Sequence, residues 1–411
     1  MKQSAGSVRN GQYRSMLIVA AGMISILFPS SLGGVIEPKL MLSLCALAST
    51  ILMLTFERGR WIMPNAIAAL AVLALFALFT ATSPLPDLAI GGLLPYVLLL
   101  TVLLVDVRHA PQTRWATRAL LAVNAFVLFL GFGTVAGNGL ALHIIESYYK
   151  EFAEELFESM ILWYSKPVSV FASHSIAALA YFALFCLNLR IARSAGTASA
   201  QALYRLSALG YLVLIPLLTS NTAFALFVPA LGLFVSHFLG ALKPAHRGCA
   251  LAAVLLVSMV GAAAAIGSDE LQAVGTSLVA IVSNEGGGFL GRYSHGTRLQ
   301  GTYDYLVAHN FLPIGITYST SVALGDNLIA EYILKISVLG YALILMMLWV
   351  WLRHNLPDRA SRSLFFLFFL VADLGYPLLT YHRVAGFLPL FALLWLMSVG
   401  SRTSKDVVAH Q

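Results

Sequence analysis

Charge is scarce in this chain. Only 10% of its 411 residues are Asp, Glu, Lys or Arg, and 59% are hydrophobic. A soluble domain carries about 25% charged and 45–50% apolar residues. No single soluble core can hide that much apolar surface. The composition therefore excludes a secreted enzyme, a nucleic-acid-binding domain and a disordered scaffold, and leaves an integral membrane protein. Cysteine is scarcer still: Cys45, Cys186 and Cys249 lie in or beside apolar runs, without metal-ligand spacing and without implying a disulfide framework. Familiar catalytic signatures are missing too. There is no Walker A loop, no His-Glu-x-x-His, no Gly-x-Ser-x-Gly elbow around Ser220 and no Asp-x-Asp pair. Neither a metal nor a cofactor is expected. No cytoplasmic loop is long enough for a nucleotide-binding domain, so an enzyme of this shape takes a donor already activated in the membrane.

What the chain does have is long apolar runs. A membrane helix needs about 20 mostly apolar residues, and about twelve such runs occur: 15–35, 39–56, 62–81, 89–107, 118–140, 171–189, 204–219, 222–241, 249–267, 328–352, 363–380 and 384–400. The first lacks a small-residue cleavage site and reads as a retained helix. The pI near 9.3 and net charge of +7 read as topology signals. With the N-terminus inside, 18 of the 25 Lys and Arg residues fall in cytoplasmic segments, as the positive-inside rule requires. The expectation is an all-α polytopic protein of about twelve spans, a single integral membrane domain over 1–411 with both termini cytoplasmic. Seven basic residues are left unexplained by topology: Lys39, Lys150, Lys166, Arg292, Arg298, Lys335 and Arg383.

Two external segments are long. In 141–170, Ile145, Tyr148, Phe152, Leu156 and Met160 recur at helical spacing among Glu146, Glu151, Glu154, Glu155 and Glu158. This predicts an amphipathic helix on the outer membrane surface, a lid or a brace. The second segment, 268–327, carries three glycines at 286–288 and then Gly291-Arg292-Tyr293-Ser294-His295-Gly296-Thr297-Arg298. Loops of this length are usually functional or disordered, and the apolar content argues for a folded one.

The outer-facing arginines Arg292, Arg298 and Arg383 are candidates for an anionic head group, because a guanidinium stays charged and its fork matches phosphate oxygens. Snorkelling to lipid phosphates or pairing with nearby acids is the plainer role for Arg292 and Arg383. Asp326, at the mouth of the tenth run, either acts as a base or caps a helix. His174, His295, His309 and His382 share that face, each more simply a packing or surface residue. Glu331 and Lys335, four residues apart, either neutralise one another or line a polar groove. Asp373 is an isolated intramembrane acid.

The stretch 298–340 resembles the polytopic O-antigen polymerase and ligase superfamily, the Wzy-type polymerases and WaaL-type ligases. Arg298, Tyr303, Asn310, Pro313, Gly315, Asp326, Asn327 and Gly340 follow that family's order of an Arg, an aromatic, an Asn-Pro-Gly turn, a polar pair and a helix glycine. Two shorter segments are similar to further family turns: Lys166-Pro167 through Phe171, Ser173, His174 and Ser175, and Ser220-Asn221-Thr222. Asn221 stands where an Arg is common, and His174-Ser175 replaces a Pro-containing pair. Asp326 stands where the ligase branch has His, which favours a polymerase.

The resemblance implies a GT-C-like bundle in the bacterial inner membrane, active at its periplasmic face. It implies glycosyl transfer, with inversion, from an undecaprenyl-diphosphate-linked oligosaccharide to a growing lipid-linked glycan, destined for O-antigen, capsule or exopolysaccharide. Arg298 and Asp326 would be catalytic, as leaving-group contact and base. Arg292, Arg383, Lys166, His174, His309 and Tyr303 would bind the donor and its diphosphate. Membrane lipid and a chain-length regulator protein are the other expected partners, and no nucleic acid is. The alternatives are an O-antigen ligase acting on lipid A core and a transporter of lipid-linked oligosaccharide. The transporter fits less well, because the two halves show no similarity and the polar outliers gather on the outer face.

Overall fold

A computed structural model describes residues 5–28, 61–108, 114–149, 165–171, 173–241, 298–318 and 329–408, with isolated positions between 44 and 54 and at 161. The chain is helical almost throughout these residues, as lipid demands of backbone that water cannot satisfy. In chain order the helices are α1 (Ala5–Leu27), α2 (Met63–Thr82), α3 (Leu94–Val102), α4 (Arg114–Val135), α5 (Gly139–Tyr149), α6 (His174–Ser194), α7 (Ala198–Leu217), α8 (Asn221–Ala241), α9 (Arg298–Ala308), α10 (Leu334–Asn355), α11 (Arg359–Gly375) and α12 (His382–Val408). A one-turn 3₁₀ helix, Ile90–Leu93, precedes α3, and a π-helical turn, Ile329–Ile333, leads into α10. The only strands among the described residues are β1 (Asp87–Leu88) and β2 (Thr317–Tyr318), paired antiparallel.

This is an all-α membrane protein. Among the described residues five helical stretches are long and apolar enough to cross a membrane: Met63–Thr82, Trp115–Val135, His174–Ser194, Ala198–Leu217 and Glu331–Asn355. Shorter apolar stretches lie in α1, α3, α8 and α12. Of the apolar runs, 39–56 and 249–267 fall wholly or largely outside the described residues. The rest of the 141–170 helix beyond Tyr149 and most of 268–327 do so too. Where α5 is described, Ala141, Ile145 and Tyr148 form one buried stripe, the face expected of an amphipathic helix.

The fourth run departs from its expected length. Helix α3 covers only Leu94–Val102, and Val105–Val107 continue without helix. Side chains of α10 satisfy the released backbone groups: Trp351 Nε1 and Asn355 Nδ2 each donate to Val105 O at 3.0 Å, and Asn355 Oδ1 accepts from Val107 N–H at 2.7 Å.

The chain forms two compact units. Unit 1 contains α1–α3, the start of α4 and α9–α12. Within it α2 packs on α10, α1 on α12, and α12 on α3. Asn65 of α2 ties three of these elements, donating to Leu103 O at 2.7 Å and Met347 O at 3.0 Å. Unit 2 contains the rest of α4, most of α5 and α6–α8, with α6 packed on both α7 and α8. Its centre holds a polar knot. The Asn124 and Asn188 amides exchange hydrogen bonds of 2.7 and 3.1 Å, and Tyr211 OH donates to Asn124 Oδ1 at 3.0 Å. Such bonds act as glue where no hydrophobic effect drives helices together.

Candidate functional site

In unit 2, the segments 166–175 and 220–222, far apart in sequence, meet. Helix α7 runs back along α6 and the chain then turns again into α8, so α6 and α8 begin at the same end. Ser173 caps α6, its Oγ accepting from Ile176 N–H at 3.2 Å. Ser220 does the same for α8, accepting from Ala223 N–H at 3.2 Å. The two starts touch: Thr222 Oγ1 donates to Ser175 Oγ at 3.5 Å. Each helix N-terminus carries roughly half a positive charge from its aligned peptide dipoles, and two of them at one place favour an anion.

The 165–171 segment closes this end. Ser165 and Ser169 take positive φ (48° and 52°), folding the chain so that Val168, Val170 and Phe171 are buried. Tyr181 OH from α6 donates to Pro167 O. Lys166 is thereby held half-buried in the turn, and burial pushes its ammonium below the usual lysine range. His174 is the first residue of α6. Among the described residues the arrangement is assembled from helix ends, a cation and hydroxyls. It suits a phosphate or diphosphate.

Unit 1 carries the second polar concentration. Helix α10 is broken near its start: Ser337 sits at φ 67°, ψ 173°, a region only glycine adopts freely. The break frees carbonyls, and the turn after α9 fills them, Ile314 N–H donating to Leu334 O at 2.8 Å and Gly315 N–H to Lys335 O at 3.1 Å. That turn needs its particular residues. Asn310, Phe311 and Gly315 all take positive φ. Thr80 Oγ1 accepts from Ile316 N–H at 3.1 Å, and Ala89 N–H reaches Ile316 O at 2.8 Å. The Asn-Pro-Gly motif thus builds a backbone plug for a broken helix. Ser337→Gly should relieve strain and raise stability by about 1 kcal/mol, read as a higher thermal unfolding midpoint. A glycine elsewhere in α10 would lower it.

Glu331 and Lys335 do pair, at 2.8 Å. Tyr96 OH donates to Glu331 Oε1 at 3.0 Å and also reaches Glu331 O, and Lys335 Nζ lies 5.5 Å from the Tyr96 ring centre. Both charged side chains keep about a fifth of their surface exposed, at 19% and 24%, so Glu331→Gln should cost only about 1–2 kcal/mol. Glu331→Gln/Lys335→Met together should recover part of that loss, measured as a double-mutant cycle on thermal stability. Asp373 is buried at the end of α11. Its carboxylate accepts from Leu378 N–H at 2.9 Å and Leu379 N–H at 3.4 Å, and Tyr341 OH lies 3.4 Å away. It organises the turn into α12.

The residues singled out from sequence separate into these surroundings. Lys166 and His174 lie together in unit 2. Arg298 opens α9 in unit 1. Tyr303 lies exposed on α9, while Tyr305 is the buried aromatic, its ring stacked on His309 at 4.1 Å. His309 Nδ1 lies 2.9 Å from Tyr305 O. Arg383 is fully buried, and its Nη1 donates to Ser25 O, Ile26 O and Phe28 O at 3.2, 3.1 and 3.0 Å. Its guanidinium carbon lies 5.0 Å from the Tyr148 ring centre. Arg383 therefore caps the C-terminus of α1, a role the sequence did not reveal. Arg292 and Asp326 lie outside the described residues. Among the described residues no group of three His, Cys, Asp or Glu side chains gathers as a metal site. Sequence reasoning missed Tyr96 and Ser337, which carry no motif; the Glu331–Lys335 spacing was the one signal pointing to their neighbourhood. No protein-family model matches this chain, and no curated protein matches it.

Proposed function

We propose that the protein is a bacterial inner-membrane glycosyltransferase that lengthens a cell-envelope polysaccharide. It takes an undecaprenyl-diphosphate-linked oligosaccharide as donor and a growing lipid-linked glycan as acceptor. The observation that carries this reading is the meeting of the α6 and α8 N-termini beside Lys166 and His174, an anion-favouring end built from the two segments whose turns resemble those of Wzy-type polymerases. The finer architecture belongs to the same reading. It comprises twelve spans in a GT-C-like bundle, both termini in the cytoplasm, the capped starts of α6 and α8 at the periplasmic face, and 268–327 covering that face.

In this mechanism an acceptor hydroxyl attacks the anomeric carbon of the donor. The bond from that carbon to the lipid diphosphate breaks with inversion, and the hydroxyl proton passes to a base, Asp326. Charge develops on the departing diphosphate, and preorganised positive groups stabilise it. Within unit 2 Lys166 and the two helix N-termini supply that charge; Arg298 and Arg292 are diphosphate contacts by the family resemblance alone. His174 lies at the same end of unit 2, and the resemblance assigns donor contacts to His309 and Tyr303 as well. Membrane lipid and a chain-length regulator are the remaining partners. The site takes no cofactor.

The test is reconstitution in nanodiscs with lipid-linked repeat units and no nucleotide sugar, products being resolved by size. A ladder of longer glycans is expected. Lys166→Gln should slow its growth at least about tenfold, and Arg298→Ala should abolish it. No ladder from the host's own repeat units, with folded protein, would refute the polymerase. The pH dependence has a defined sign. Donor binding needs the Lys166 ammonium, and burial lowers its pKa, so activity should fall on the alkaline side earlier than for an ordinary lysine. Lys166→Arg should move that limb to higher pH.

The second reading is a transporter of lipid-linked oligosaccharide. The interrupted start of α10, with its Glu331–Lys335 pair, favours it, since transporters place broken helices at their substrate sites. Glycan crossing the bilayer without lengthening would select it. Labelling of added lipid A core would select a ligase.

A further inference from the structure

The opposite end of unit 2 carries another basic cluster, about 28 Å along α6 from His174 at 1.5 Å per residue. Arg193 lies in the last turn of α6, Arg205 early in α7 and His237 late in α8. Arg193 Nε–H donates to His237 Nδ1 at 2.9 Å. That occupies the Nδ1 lone pair, so the ring carries its proton on Nε2 and offers a second N–H. His237 is buried. The Arg205 guanidinium stands 5.7 Å from the Phe238 ring centre, and its Nε is buried with no hydrogen-bond partner among the described residues. Both guanidiniums act electrostatically on the His237 ring.

Among the described residues no acid pairs with Arg193 or Arg205. Residues 173–241, which comprise all of α6, α7 and α8, contain no Asp or Glu, while Arg190 adds a further cation. The described acid of unit 2 is Glu146, which sits 3.5 Å from His143. Beside the cluster, Phe234 and Phe238 are half-buried, with ring centres 4.6 Å apart. Topology alone requires positive charge near a helix end. It does not require an Arg–His hydrogen bond, an arginine laid on an aromatic ring, or a buried guanidinium N–H without a hydrogen-bond partner among the described residues.

We propose that Arg193, Arg205 and His237 bind the phosphate of an anionic phospholipid, with Phe234 and Phe238 against its acyl chains. Basic clusters between membrane helices are suited to such head groups, and the fork of Arg205 matches phosphate oxygens. The site is separate from the proposed glycan chemistry and does not depend on it.

The test is native mass spectrometry of the full chain, released from nanodiscs of mixed phosphatidylglycerol and phosphatidylethanolamine. Wild type should retain phosphatidylglycerol preferentially. Arg193→Gln and Arg205→Gln should each reduce that preference about fivefold, with thermal unfolding confirming that each variant folds. Arg205→Lys, which keeps the charge and loses the fork, should fall between. Arg353→Gln, a basic residue of unit 1, should change nothing. Equal retention of the two lipids by wild type would overturn the proposal. So would an equal loss in Arg353→Gln, which would mean diffuse surface charge, or displacement of the lipid by millimolar inorganic phosphate, which would mean a site for the free anion.

Discussion

Gly315→Ala is expected to destabilise the protein by about 2–5 kcal/mol. Two terms add. The residue sits at φ 63°, where a side chain costs about 1–2 kcal/mol. A Cβ there would also stand 2.5 Å from Thr80 N and 2.8 Å from Thr80 Cα. Those are backbone atoms of α2, and they cannot yield as a flexible side chain would, so overpacking adds about 1–3 kcal/mol. The same turn feeds the carbonyls released at the Ser337 break, so displacing it should loosen the start of α10 as well. The measurement is the thermal unfolding midpoint of the purified protein in detergent, with hydrogen exchange across 329–340 reporting the local opening. A Gly315→Ala protein as stable as wild type, with unchanged exchange, would contradict the plug.

Arg383→Ala is the second large effect, about 3–5 kcal/mol. The substitution strips one donor group from three carbonyls at the end of α1, two of them buried, and each buried unsatisfied acceptor costs about 1–3 kcal/mol, with partial relief as the chain relaxes. Arg383→Lys should recover part of the loss, since an ammonium can reach fewer of the three acceptors in the geometry that the guanidinium serves. The outcome separates two roles. A helix-capping arginine lowers stability when removed and affects donor binding only through the fold. A diphosphate contact leaves the unfolding midpoint unchanged and weakens donor binding directly. The three bonds to Ser25, Ile26 and Phe28 predict the first.

Much of the fold was legible because lipid simplifies the code. Hydrophobic runs of span length stand out against 10% charge, and backbone satisfaction leaves helices as their form. What the sequence concealed is where helices stop short. The end of α3 at Val102 depends on Trp351 and Asn355, some 250 positions away, and no local pattern announces that. The break at Ser337 likewise lacks the proline or glycine that would have marked it.

The candidate site was legible in parts. Lys166, His174 and Ser220 stood out by resemblance, but their proximity comes from α7 returning along α6 so that α8 starts beside the start of α6, a tertiary fact. For Arg383 the sequence left two roles open for a physical reason: an arginine at a helix start looks the same in sequence whether it faces a ligand or a neighbouring helix end. Its partners are backbone carbonyls, which carry no sequence identity.

In the proposed reaction a lipid diphosphate binds where α6 and α8 begin. The most direct measurement is photo-crosslinking with an undecaprenyl diphosphate analogue bearing a photoreactive group next to the phosphates, followed by peptide mapping. The account predicts adducts within 165–175 and 219–224, suppressed by unlabelled undecaprenyl diphosphate and strongly reduced in Lys166→Gln. Adducts confined to other segments, or labelling that Lys166→Gln and competitor leave unchanged, would contradict it.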